Sequence, residues 1–250
     1  MSASAAEPSF GENGATAPNG FPYDIEPLPH ADVPALADRV RPEIIKSCAV
    51  ALRRMGGTRL ISVTSSTRGE GRTTVACALA LAAAQGAKTI LIELDFENAR
   101  LAEHARLASG PGMADLLRGD ATIDQCLQRV GPDLEVIVAG WARESLDSLV
   151  KGLPAVMAAL RSRYDTNPDD HNTTIIVADL APLDAGISTT RVADFFSTPV
   201  LVVRAGGVET QSIEQSAAVL GRKPFVVLNG TGKGPTRRQR RKRRRRAARK

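Results

Sequence analysis

Between Ile61 and Ala76 the chain reads I-S-V-T-S-S-T-R-G-E-G-R-T-T-V-A, a β-branched run that breaks at a turn with two glycines and passes into an apolar helical sequence. That succession predicts a buried strand, a tight loop and a helix whose first turn faces the loop. In such a loop the glycines let backbone N–H groups turn inward around a phosphate chain, a basic side chain reaches the terminal phosphates, and a following hydroxyl holds Mg2+. Gly69, Gly71, Arg72 and Thr73 are the residues that would supply those parts. Against the pattern G-x-x-x-x-G-K-[ST], Ser66 stands in place of the first glycine and Arg72 in place of the lysine.

Two later stretches point the same way. Thr89 to Leu94 (T-I-L-I-E-L) is a buried-strand run that ends among acids, Glu93 and Asp95, and Thr173 to Asp179 (T-T-I-I-V-A-D) is another. Acid at the carboxyl end of a parallel strand lies where an open α/β sheet binds its ligand.

With these three pieces in order, the chain resembles the cytoplasmic ATP-binding domain of bacterial tyrosine kinases that regulate capsule and exopolysaccharide export. V-T-S-S-T-R-G-E-G-R-T-T is similar to the family's Walker A, L-I-E-L-D-F-E to its second motif (D-x-D-x-R), and I-I-V-A-D-L-A-P to its Walker B. Gly112 to Gly119, Pro199 to Gly206 and Phe225 to Gly230 extend the likeness, which runs from Arg41 to Gly232. The resemblance implies a P-loop NTPase, an α/β fold with a mostly parallel sheet and helices on both faces. It also implies ATP and Mg2+ as ligands. Arg68, Gly69, Glu70, Gly71, Arg72, Thr73 and Thr74 would hold the nucleotide, with Asn229 at the adenine or simply in a strand-end turn with Gly230. Thr73, Asp95 and Asp179 would hold the metal, and Asp95, Glu93 and Arg72 would carry catalysis.

The departures from the family bear on chemistry more than on binding. The planar guanidinium of Arg72 does not replace a slim ammonium between phosphates. Glu93 is a methylene longer than the family's Asp, and Glu97 stands where the family has arginine. The family's substrate is a tyrosine cluster at its own C-terminus, whereas this chain has only Tyr23 and Tyr164. In the family's ring-forming helix pattern E-x-x-R-x-x-R, Glu43 and Lys46 match loosely and Ala49 does not. The expectation is an ATP-binding regulatory component of polysaccharide synthesis and export with weak or absent kinase activity; any activity would be that of a tyrosine kinase or an ATPase. The alternative is a ParA- or MinD-like ATPase that positions DNA or protein, and a non-nucleotide adaptor comes third. ParA and MinD carry a signature lysine where this loop has Thr67.

Charge divides the chain. Eleven of its 33 Lys and Arg lie between Arg237 and Lys250 with no acid among them, so the remainder carries 22 basic against 27 acidic residues, a net −5 beside the whole-chain +6. The domain expectations are a disordered, Pro-rich arm over 1–38, the nucleotide domain over 39–232 and a disordered polybasic tail over 233–250. The tail would meet an anionic membrane surface, with nucleic acid as another polyanion, beside a membrane-embedded chain-length or export protein. Cys48, Cys77 and Cys126 lack metal spacing and read as buried small hydrophobes. No signal peptide or spanning run is visible in this sequence, so the expected location is the cytoplasm, peripheral to the inner face of the membrane.

Periodicity predicts helices over 42–55, 74–85, 98–107, 121–130, 145–164 (broken near Gly152 and Pro154), 189–196 and 209–220, with strands between them. Alternation of this kind implies a parallel sheet wrapped by helices.

Overall fold

The structure is a computed structural model that describes residues 36, 40–55, 60–142, 146–164, 174–206 and 210–230. Outside those residues lie nearly all of the expected arm, the whole expected tail, Gly56 and Gly57, the loop over 165–172, His30 and His171. Among the described residues the elements run α1 (Pro42–Arg54), β1 (Leu60–Ser65), α2 (Arg72–Ala83), β2 (Thr89–Glu93), α3 (Leu101–Ala105), α4 (Met113–Arg118), α5 (Ile123–Cys126), β3 (Gln128–Arg129) and β4 (Leu134–Ile137). There follow α6 (Leu146–Leu149), a 3-10 turn (Val150–Gly152), α7 (Leu153–Tyr164), β5 (Ile175–Asp179), α8 (Ile187–Ala193), β6 (Thr198–Arg204), α9 (Thr210–Val219) and β7 (Phe225–Asn229).

The strands form one sheet in the order β3-β4-β2-β5-β1-β6-β7, parallel throughout except for the β3–β4 pair. This is the P-loop NTPase architecture. The period of two in each strand divides the core into two layers. Leu91, Val177, Val200 and Val202 face α1 and α2, while Ile90, Ile92, Ile176, Leu201 and Val203 face α4, α7 and α8. Among the described residues Phe196 is the single aromatic in the set of largest fully buried side chains, so aliphatic packing carries the core. Leu36, within the expected arm, is fully buried on the α1 side.

Helix α2 lies against the middle of the sheet because nearly all of it is small: Val75, Ala76, Cys77, Ala78, Leu79 and Ala80 are all buried in succession. Its first helical residue is Arg72, two positions earlier than the periodicity predicts, since positive φ at Gly71 makes the turn that starts it. The predicted helix over 121–130 is replaced by the single turn α5 and the strand β3. There Gln128 is buried and its amide both accepts from Ala108 N–H and donates to Ala108 O, each at 2.9 Å, which a hydrophobic-period reading cannot anticipate. The helix expected over 98–107 shrinks to Leu101–Ala105, because the N–H groups of Asn98, Arg100 and Leu101 are drawn to the side chains of Asp95 and Glu93.

Candidate nucleotide-binding site

Strand β1 sits between β5 and β6, so the loop after it opens at the centre of the sheet's carboxyl edge. Gly69 (φ 87°) and Gly71 (φ 92°) take left-handed conformations that other residues adopt only under strain. A Cβ on Gly71 would also lie 2.1 Å from Asn229 Nδ2. No side chain caps α2, which leaves the N–H groups of its first turn pointing out of the helix for an anion.

The chain's own side chains hold this loop in shape. Ser65 Oγ donates to Thr67 O (2.6 Å), and Ser66 Oγ lies 2.7 Å from Ser216 Oγ at α9. Glu70, 3% exposed, accepts from Thr67 N–H (3.1 Å) with one carboxylate oxygen and from Arg204 N–H (3.2 Å) with the other. Asn229 donates its amide N–H to Glu70 O at 2.9 Å. Glu70 and Asn229 thus brace the loop against the ends of β6 and β7, a role the sequence did not suggest. Ser66, in place of a loop glycine, was the visible signal for an unusual anchor at this point.

Behind the loop, β2 and β5 run side by side with Glu93 opposite Asp179, which with Asp95 brings together the three acids expected at the strand ends. Their partners differ sharply. Glu93 accepts three backbone N–H groups, from Arg100 (2.6 Å), Leu101 (2.8 Å) and Ala139 (3.0 Å). Burial raises its pKa, those N–H groups pull it back, and the nearby Asp95 charge raises it again. Asp95 accepts Asn98 N–H (3.2 Å) on one oxygen and the Arg72 guanidinium (2.7 Å) on the other, in an ion pair whose side chains are 4% and 7% exposed. Arg72 also donates to Ser65 Oγ (3.1 Å), so its guanidinium faces the interior; its Nε–H is buried without a partner.

Asp179 is the exception. It is buried, and neither of its carboxylate oxygens has a hydrogen-bond partner. Burial pushes its pKa up to about 7, with the Glu93 and Asp95 charges adding to the rise. The Thr73 hydroxyl and the Arg72 charge oppose it, the hydroxyl lying close enough to ease the carboxylate without completing a hydrogen bond. Two orphaned carboxylate oxygens beside a hydroxyl on the first turn of an uncapped helix fit a hard, oxygen-seeking cation held jointly with a phosphate. Among the described residues no three His, Cys, Asp or Glu side chains are grouped to hold a metal alone. Mg2+ suits this arrangement, because it takes one or two protein oxygens and completes its shell with phosphate and water.

Arg68 points outward and pairs with Glu97 at 2.5 Å, both half or more exposed. The charge reversal noted at Glu97 therefore has its counterpart in the loop, in a surface pair of the kind worth about 0–1 kcal/mol. Cys48, Cys77 and Cys126 are buried free thiols, and burial raises the pKa of each.

No protein-family profile matches the chain. A tyrosine-protein kinase EpsB from Ralstonia solanacearum is 31% identical over 150 residues, which is 57% of this chain and 20% of that protein. The tyrosine-protein kinase CpsD of Streptococcus agalactiae is 25% identical over 164 residues, 63% of this chain and 67% of that protein. The crystal structure of the VpsO kinase domain superposes with a TM-score of 0.64 at 27% identity, over 74% of this chain and 95% of that domain. The chain is similar in sequence and fold to bacterial tyrosine kinase domains. The resemblance read from the motifs thus agrees with both sequence and fold. The chain spans about a fifth of the length of the Ralstonia protein. Among its described residues no helix is long and apolar enough to cross a membrane.

Proposed function

We propose that this chain is an ATP-binding regulatory component of capsular or exopolysaccharide synthesis and export, in which phosphoryl transfer is weak or absent. The observation that carries nucleotide binding is the buried, unpartnered carboxylate of Asp179 beside Thr73, at the foot of a glycine loop and an uncapped helix. Backbone N–H groups from Arg68 to Thr74 would surround the phosphates, and Thr73 and Asp179 would hold Mg2+. When bound, that ion supplies charge neutralisation of the phosphates.

The remaining acids are engaged elsewhere. Glu93 fastens three backbone N–H groups, and Asp95 is occupied by Arg72 and Asn98 N–H. Phosphoryl transfer depends on a positioned base and on a cation at the terminal phosphates, and misplacement by about an ångström can lower a rate roughly a hundredfold. These commitments support binding with little turnover. The polysaccharide setting rests on the relatives, whose names are those of tyrosine-protein kinases, and on the motif resemblance. The membrane-embedded chain-length or export partner belongs to the same reading, as does an anionic surface engaged by residues 237–250.

Thermal unfolding with millimolar Mg-ADP or Mg-ATP tests the site. A ligand at a hundred times its dissociation constant adds about 2.7 kcal/mol, so the transition should rise by several degrees. An unchanged transition with both nucleotides would refute nucleotide binding. Phosphate release as fast as that of a typical kinase would refute the regulatory reading alone.

A further inference from the structure

The cation expected at the phosphates is already paired inside the protein. Arg72 donates Nη2–H to Asp95 Oδ2 at 2.7 Å and Nη1–H to Ser65 Oγ at 3.1 Å, and its side chain is only 7% exposed. In a phosphate loop the backbone N–H groups and the helix N-terminus serve the inner phosphates, while the terminal phosphate relies on the basic side chain and on the metal. With the guanidinium held by Asp95, a third phosphate finds no side-chain cation at this position. Its added charge also lies near Asp95 and Asp179, whose carboxylates are close enough to influence each other.

Building on the nucleotide-binding reading above, we propose that Asp95 is a specificity-determining residue: by holding Arg72 it makes this a site that binds the nucleoside diphosphate at least as well as the triphosphate. Asp95 is then an internal stand-in for the anion Arg72 would otherwise meet, and its role is opposite to that of a metal ligand or base. As a metal ligand, its loss weakens binding of the triphosphate. As the partner that withholds Arg72, its loss strengthens it.

Calorimetric titration of the full chain with Mg-ADP and with Mg-ATP separates these roles through the ratio of the two dissociation constants. The wild type is expected to bind ADP as tightly as ATP or tighter. Asp95→Asn, which leaves a weaker neutral acceptor for Arg72, should move the ratio about tenfold toward ATP, the effect of one additional charge-assisted hydrogen bond. The double variant Asp95→Asn/Arg72→Gln, which removes both charges of the pair, should return the ratio to its wild-type value, since no released cation remains; the wild-type ratio itself decides the matter should Asp95→Asn fail to fold. The proposal is overturned if the wild type binds ATP ten or more times tighter than ADP, or if Asp95→Asn leaves the ratio unchanged or moves it toward ADP. It is equally overturned if the double variant keeps the shift toward ATP seen in Asp95→Asn, which would assign that shift to the lost Asp95 charge and not to a released Arg72. Failure of the wild type to bind either nucleotide overturns the nucleotide-binding reading along with it, whereas the other outcomes leave that reading standing.

Discussion

Replacing Asp179 by asparagine tests the site without any assumption about catalysis. Burial, which penalises the charged form, pushes its pKa in the folded protein up to about 7 from the ordinary aspartate value of 3.8. A carboxyl group that holds its proton more tightly folded than unfolded stabilises the fold below its unfolded pKa. That stabilisation is lost as pH rises through the folded value, so the native state should weaken between about pH 4 and 7. At about 1.4 kcal/mol per pKa unit, the carboxylate destabilises the ligand-free fold by about 4 kcal/mol at pH 8. Asparagine has the same size and no charge, but its amide needs a partner in a place that provides none, which takes back about 1–3 kcal/mol. The expected net gain is about 2 kcal/mol at pH 8, or about 4–8 °C in Tm for a domain of this size. At pH 5 the variant should gain nothing. The wild-type slope should flatten without vanishing, because Glu93 is shifted in the same direction. The stabilisation by Mg-nucleotide should fall at the same time. Thermal unfolding of both forms from pH 5 to 8, with and without Mg-ADP, measures all of this. A variant that melts below the wild type at pH 8 and keeps its full response to Mg-ADP would refute both the buried charge and its role at the metal.

Arg72→Lys should raise phosphate release above the wild-type level, since a slim ammonium restores the loop pattern; a lysine variant no faster than Asp179→Ala would show that Arg72 is not the handicap. Gly71→Ala should destabilise the fold by about 1–3 kcal/mol and abolish nucleotide response, because it places a Cβ 2.1 Å from Asn229 Nδ2 at a φ of 92°; chemical denaturation checks the first and thermal shift the second. Removal of residues 236–250 should eliminate salt-sensitive sedimentation with anionic vesicles and leave the nucleotide response intact. Vesicle binding that survives the truncation would refute the tail's role, and much tighter binding to duplex DNA would favour a DNA-positioning ATPase.

The order strand, loop, helix, acidic strand, acidic strand was legible in the chain because each piece is dictated locally. β-Branched runs make strands, two glycines make the turn that only left-handed φ allows, and an Ala-rich stretch makes a helix slim enough to lie on the sheet. Parallel strands buried on both faces then require a layered α/β fold, which by itself puts Thr73, Glu93, Asp95 and Asp179 along one edge. What those side chains do there was not legible. Arg72 meets an acid 23 residues away, and Asn229 braces a carbonyl 159 residues earlier in the chain. Glu93, which ends a strand as a ligand-binding acid would, spends its carboxylate on backbone N–H groups 7, 8 and 46 residues away. Asp179 ends its strand in the same way and is left with no partner. Motif spacing fixes where a side chain starts, since that depends on backbone periodicity. Which neighbour takes its charge depends on how loops far apart in sequence pack together, and only the tertiary structure decides that.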